Sequence, residues 1–460
     1  MKKLNIILIM LFIMILIPVI SQATEITKES TILLEGKAIN KKVLDDKENT
    51  YISISKGAKI EIKSEENIKG LYIIYELSSK EGTITANSKI EPIGENGFLH
   101  EYINVSEKVG ETQELKITYN EDVKIADIYV LGEGEIPDFV EIWDKPCKQA
   151  DLLLFSTHSD DEQLFFLGLM PTYVARGAHV QVVYFAHHND TPSRLHEQIH
   201  GLYAVGIRNY PILGIIPDAY SESLNVALSN MKKAKITEDD AIKFQVEMMR
   251  RFKAQVVVGH DEKGEYGHGQ HILNTYLLEK AIKLTNDENY ITDSSAWKVK
   301  KLYLHLYGEN QITMDYDVPL EYFGGKTAYE VSKDGYSKHK SQQWTWFTTW
   351  INGKNNSYKK ATDISTYTPL KYGLYYTTVG EDTEKNDMFE NVTYYEEQMR
   401  QEELKKEKEE AEKQKQEENE KNELLENNKN SSDKKFIVLG IICIILIIAI
   451  VIKMIWDKKR

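Results

Sequence analysis

Two cysteines in 460 residues leave no room for a disulfide framework. Cys147 lies in the body of the chain and Cys443 inside an apolar run near its end, so the two cannot join within one molecule. Any core must be held by burial alone, and the length allows two medium domains. Basic residues are also in short supply: 57 Lys and Arg face 71 Asp and Glu, a net charge of −14. Phosphate binding needs a basic face, so this balance argues against a nucleic-acid partner. Apolar residues are scarce from 394 to 430, where Glu, Lys, Gln and Asn dominate. Such a stretch cannot bury a core, and residues 386–433 are expected to form a solvated helix or a disordered stalk.

What is present at the two ends predicts a location. Lys2 and Lys3 precede an apolar run over residues 4–20, followed by Ser21-Gln22-Ala23. This pattern predicts a secretory signal peptide over residues 1–23, although the run is also long enough for an uncleaved anchor. Residues 434–456 are almost unbroken Ile, Leu and Val with Trp456 at the boundary, which matches one transmembrane helix. The tail, 457–460, is basic and by the positive-inside rule cytoplasmic. The expected protein is a single-pass cell-membrane protein with its N-terminal body outside the cell.

Residues 24–135 carry short runs of period two, such as Tyr51-Ile52-Ser53-Ile54-Ser55 and Lys59-Ile60-Glu61-Ile62-Lys63, punctuated by Gly and Asn. They predict an all-β sandwich, either carbohydrate-binding or a spacer, loosely similar to discoidin-like modules. Over residues 146–385 strand-like and helix-like segments alternate. That spacing predicts an α/β domain, a Rossmann-like parallel sheet with helices on both faces. Trp344, Trp346 and Trp350 are expected to pack.

The chemistry concentrates in two turns. His158-Ser159-Asp160-Asp161-Glu162 follows the apolar Leu152-Leu153-Leu154-Phe155 and precedes helical spacing over 162–176. A His and two carboxylates on one turn repel and stay poorly solvated unless a cation joins them. The alternative is a polar helix N-terminus, where Asp and Glu are favoured anyway. A second apolar strand, Val256-Val257-Val258, runs into a Gly-rich segment holding His260, Asp261, Glu265, Tyr266, His268, Gln270 and His271. Two such turns at the carboxyl ends of strands can face each other across a sheet's crevice.

Together these turns resemble the LmbE-like, or GlcNAc-PI de-N-acetylase (PIG-L), family of zinc-dependent N-deacetylases. The family's His-Pro-Asp-Asp-Glu turn corresponds to residues 158–162, and its Gly-His-Pro-Asp-His turn to residues 267–271. Its Arg and Glu three apart match Arg194 and Glu197, its acidic residue after the next strand matches Asp218, and its His-x-Ser-Gln element matches His339-Lys340-Ser341-Gln342. The resemblance covers about 150–345 and implies zinc, or another divalent metal such as Fe2+, on His158, Asp161 and His271. It further implies Asp160 as general base, and His268, joined by Tyr266, as stabiliser of the oxyanion. Arg194 and Asp218 would hold sugar hydroxyls or an anionic group. The implied substrate is an N-acetylated sugar or glycoconjugate, including cell-surface polysaccharide. Two positions depart from the pattern: Ser159 replaces a Pro, and Gln270 replaces the Asp beside the family's catalytic His, which should weaken His268. A non-catalytic glycan-binding relative is the alternative. A second rival is a zincin-type metallopeptidase built on His196-Glu197-Gln198-Ile199-His200, whose i, i+4 histidines share a helix face.

Overall fold

The structure is a computed structural model that describes residues 25–458. The signal peptide expected over residues 1–23 and the last two residues of the tail lie outside the described residues. The chain divides into two compact units, Met1–Val392 and Thr393–Arg460.

The period-two runs of the N-terminal region build two antiparallel sheets. Six strands pair in the order Lys37–Ala38, Thr31–Leu34, Lys59–Lys63, Glu114–Tyr119, Gly82–Ala86 and Lys89–Ile93, and four in the order Ile52–Ile54, Val123–Leu131, Gly70–Tyr75 and His100–Asn104. In Lys59–Lys63 the two isoleucines are buried and the terminal lysines exposed, which is what alternation across a pleat produces. All six residues of Gly70–Tyr75 are buried instead. Leu71, Ile73 and Tyr75 face the core shared by the two sheets, while Tyr72 and Ile74 pack with Val140, from the segment leading to the next region.

The α/β region has one mixed sheet of six strands, ordered Val180–Tyr184, Leu152–Ser156, Val256–Gly259, Lys301–His305, Lys371–Thr377 and Gln311–Thr313. The first four pair in parallel, with Leu152 opposite both Val180 and Val256. The last two pair antiparallel, so the expected parallel sheet gains an antiparallel edge, a common variation on large sheets. Leu152–Ser156 lies inside the sheet, and its unbroken apolar run is buried throughout.

The helix expected over 162–176 is broken into Asp161–Leu164 and Leu169–Ala175. Gly168 between them has φ +84°, and a Cβ there would come within 2.3 Å of the Tyr316 ring. The close approach of Tyr316 requires glycine, and its left-handed backbone interrupts the helix.

Lys301 is fully buried at the start of its strand, where its ammonium meets Asp382 and the Met388 and Glu390 carbonyls. Tyr303 donates to the same carboxylate. Lys301→Met is expected to destabilise the protein by about 3–5 kcal/mol in thermal unfolding, because Asp382 is left buried without its cation.

In the second unit one helix, Tyr395–Asp457, runs for 63 residues. Its Lys434–Asp457 portion, 24 residues holding an 18-residue stretch of mean hydropathy 3.3, is long and apolar enough to cross a membrane. At about 1.5 Å per residue it exceeds the roughly 30 Å of a bilayer's hydrocarbon core.

Candidate metal centre and active site

The Leu152–Ser156 strand ends under the first polar turn, and backbone geometry there is unusual. Asp160 has φ +114°, a conformation that costs on the order of 1–3 kcal/mol in a non-glycine residue and persists only when its surroundings enforce it. They do. The Asp160 N–H donates to Glu162 Oε2 at 2.9 Å, and the Asp160 carbonyl accepts from the Gln163 and Leu164 N–H groups. Ser159 is held by its N–H on His188 Nε2 at 3.0 Å and its hydroxyl on the Arg194 carbonyl at 3.0 Å. Glu162, expected only to favour the helix start, is fully buried and lies 2.9 Å from His339 Nε2.

Three donor atoms converge beside this turn. His158 Nδ1, Asp161 Oδ2 and His271 Nε2 form a triangle with sides of 3.0, 3.1 and 3.1 Å. Tetrahedral zinc with bonds of about 2.0–2.1 Å would set its ligand atoms roughly 3.3 Å apart, so these donors fit such an ion after a shift of a few tenths of an ångström. The electrostatics agree. Burial opposes charge on both histidines, yet Asp161 raises His158, and Asp161 with Glu265 lifts His271 to about 10. A pocket that draws protons onto two facing imidazoles is one that favours a cation.

With a cation in place of those protons, the outer partners of both imidazoles select the tautomer that ligation needs. The Gln270 amide is oriented by its own partners: Oε1 accepts from the Ala219 N–H at 3.1 Å, and Nε2 donates to the Pro217 carbonyl at 3.0 Å. Its Oε1 lies 2.8 Å from His158 Nε2, so His158 carries its proton there and leaves Nδ1 bare toward the triangle. Gln270 was expected, in place of the family's Asp, to leave His268 weaker; its amide lies on His158. His271 Nδ1 is 2.7 Å from Glu265 Oε2, which turns His271 Nε2 inward. Glu265 also meets His260 Nδ1 at 2.8 Å and His305 Nδ1 at 2.7 Å. Burial pushes its carboxyl up, but these three imidazoles outweigh burial and hold it well below the usual range.

The remaining polar groups surround the triangle. Burial raises Asp160 to about 7 against the opposing Arg194 guanidinium, whose Nη2 lies 3.5 Å from its Oδ1. Arg194 also pairs with Asp218 at 2.9 Å, and Asp218 lies 3.3 Å from His188 Nδ1. Burial would raise Asp218, but His188, His158 and Arg194 hold it well below the carboxylate range. His268 caps the Gly269–Leu284 helix, its Nδ1 accepting from the Gln270 N–H at 3.2 Å. Burial, then His158 and His271, lower it to about 2, so it is neutral with its proton on Nε2. Burial raises the Tyr266 hydroxyl, reinforced by Asp161 and Asp160. The Tyr266 ring centre is 5.5 Å from that of His268 and 5.8 Å from that of Trp346. Trp344 and Trp346 were expected to pack; they are 83% and 51% exposed, and of the three tryptophans only Trp350 is buried.

His158, Asp160, Asp161, Arg194, Asp218, Tyr266, His268 and His271 therefore meet in one place. Sequence reasoning missed His188 and His305 and gave Glu265 no orienting role. The available signal was position, since His188 directly follows the short Ala186–His187 strand and His305 ends Lys301–His305. The peptidase motif does not form a zincin site. Its Glu197 binds the Ser341 N–H at 2.7 Å and hydroxyl at 2.6 Å, while His196 Nδ1 lies 2.8 Å from His100 and His200 sits between Glu141 and Glu48.

Residues 153–282 match the family model described as GlcNAc-PI de-N-acetylase, PIG-L. A 1D-myo-inositol 2-acetamido-2-deoxy-alpha-D-glucopyranoside deacetylase of Geodermatophilus obscurus is 30% identical over 176 residues, 33% of this chain and 60% of that protein. The corresponding deacetylase 1 of Catenulispora acidiphila is 28% identical over 181 residues, 34% of this chain and 56% of that protein. The chain thus spans less than two thirds of the length of the curated relatives it matches. A crystallised deacetylase of the teicoplanin biosynthesis pathway aligns with 14% identity and a TM-score of 0.31, over 44% of this chain and 88% of its own. Residues 153–282 of this chain are a PIG-L, or LmbE-like, domain.

Proposed function

We propose that this domain is a zinc-dependent hydrolase that removes the N-acetyl group from a GlcNAc-type sugar or glycoconjugate. The observation that carries this reading is the triangle of His158, Asp161 and His271 donors beside a spare, buried carboxylate. A bound divalent ion would polarise the acetamide carbonyl and acidify water, and these three residues would hold it. Asp160 takes the proton from the attacking water and returns it to the departing sugar amine. Arg194, paired with Asp218, keeps the Asp160 carboxylate aimed. Neutral His268 donates from Nε2 to the carbonyl oxygen as that oxygen becomes negative, with Tyr266 beside it. The half-exposed Trp346 ring offers a face for a sugar ring at the rim.

The apolar Lys434–Asp457 helix supports a single membrane anchor, and the basic residues after it support a cytoplasmic C-terminus with the catalytic body outside the cell. An accessible substrate would then be an acetylated surface glycan. Mass spectrometry of a panel of N-acetylated sugars and glycoconjugates tests the reading. One or more members should gain a free amine, with acetate appearing in equal amount. A panel in which none reacts with the zinc-loaded protein removes the proposed activity.

A further inference from the structure

Of the two histidines of the peptidase motif, His196 is fully buried and the His200 side chain is 25% exposed. His196 and His200 project from the Pro192–Ala204 helix into the seam with the N-terminal β region, where Glu48, His100 and Glu141 meet them. Glu141 lies 3.2 Å from His100 Nδ1 and 2.7 Å from His200 Nδ1, and it accepts a bond from Trp143 Nε1 at 3.3 Å. The Glu141 carboxylate fixes the His100 proton on Nδ1, where the Tyr72 hydroxyl also lies at 3.3 Å, and turns Nε2 outward as a lone pair, the arrangement that supports metal-bound histidines. His200 stands between two carboxylates, with Nε2 2.5 Å from Glu48 Oε1, and forms an ion pair with both. What the His100 lone pair meets is unusual. His100 Nε2 faces His196 Nδ1 at 2.8 Å, which sets acceptor against acceptor unless a proton or a cation lies between.

His196 cannot resolve this alone. It is fully buried, and its Nε2 has no hydrogen-bond partner. If its proton is on Nδ1, Nε2 is an unpaired buried acceptor. If the proton is on Nε2, an N–H is buried unsatisfied and two lone pairs face each other at 2.8 Å. Either arrangement leaves a buried polar atom of His196 unsatisfied. One ligand atom each from Glu48, His100 and His196 lie within 4.8 Å of one another. The Glu48 side chain is 30% exposed, which leaves a path for an ion from solvent.

We propose that Glu48, His100 and His196 hold a second divalent transition-metal ion, of the zinc class, which fastens the N-terminal β region to the α/β domain, with Glu141 orienting the His100 ring. Two imidazoles and one carboxylate select zinc-class ions over calcium or magnesium, which prefer all-oxygen sites. The ion would also brace the helix that carries Arg194 and Glu197, so the seam and the active site share one rigid element.

Metal counting on the full chain in detergent tests this, after chelator treatment, reloading with zinc and removal of free ion. The parent protein should retain about two zinc ions per chain, and the single variants His196→Gln and His158→Ala about one each. The unfolding temperature of His158→Ala should rise on zinc addition. Should the His158 site hold no metal, the parent would keep one ion, lost in His196→Gln and untouched by His158→Ala, and the seam site would stand. If His196→Gln keeps the parent's zinc content, the seam site is wrong. Should His196→Gln not fold, His158→Ala decides: zinc-free protein with an unshifted unfolding temperature overturns the proposal.

Discussion

Asp160→Asn is expected to slow deacetylation by about 10²–10⁴-fold, the range that a positioned general base contributes, with zinc content unchanged. The substitution preserves shape, and the Asp160 backbone, which holds φ at +114°, keeps its bonds to Glu162, Gln163 and Leu164. What is lost is a proton acceptor beside the donor triangle. Asp161→Asn should differ in kind. The Asp161 carboxylate accepts from the His158 N–H at 2.7 Å and stands in the triangle with both imidazoles, so its loss should empty the site of metal. Paired measurements of kcat and bound zinc separate the two neighbours. Metal loss in Asp160→Asn would make that residue a ligand rather than a base.

Glu265→Gln should produce the second large effect, a zinc affinity at the His158 site lower by about 10–100-fold. One carboxylate serves three buried imidazoles, those of His260, His271 and His305. An amide offers one oxygen and one NH2, so at least one ring N–H must face another donor, at about 1–3 kcal/mol for a buried unsatisfied group. His271 loses the partner that turns Nε2 inward. Zinc titration of chelator-treated protein measures the affinity, and thermal unfolding without metal measures the packing cost. Unchanged zinc affinity would mean that His271 is oriented by something other than Glu265.

The sequence was most legible where function follows local order. An apolar strand followed by a polar turn is a local pattern, and it located His158, Asp160 and Asp161; the same pattern located His268 and His271. The pairings that support them were hidden because the partners are distant in the chain. Gln270 reaches His158 across 112 positions, and Ser341 reaches Glu197 across 144. The helix break at Gly168 is set by Tyr316, which no local spacing reveals. The antiparallel edge of the sheet depends on where residues 371–377 return, which strand composition does not encode. The His-Glu-x-x-His motif misled for the same reason. Its helical spacing is real, but Glu48, His100 and Glu141, from far upstream, decide what its histidines face.

On the proposed function, metal held by the His158 turn makes the domain an N-deacetylase. The most direct test follows acetate release from N-acetylated sugars by one preparation of full chain, measured after chelation and again after zinc is restored. The predicted result is no release from the chelated protein and recovery with zinc, a recovery that His158→Ala fails to show. Equal release before and after chelation, or full recovery in His158→Ala, would contradict it.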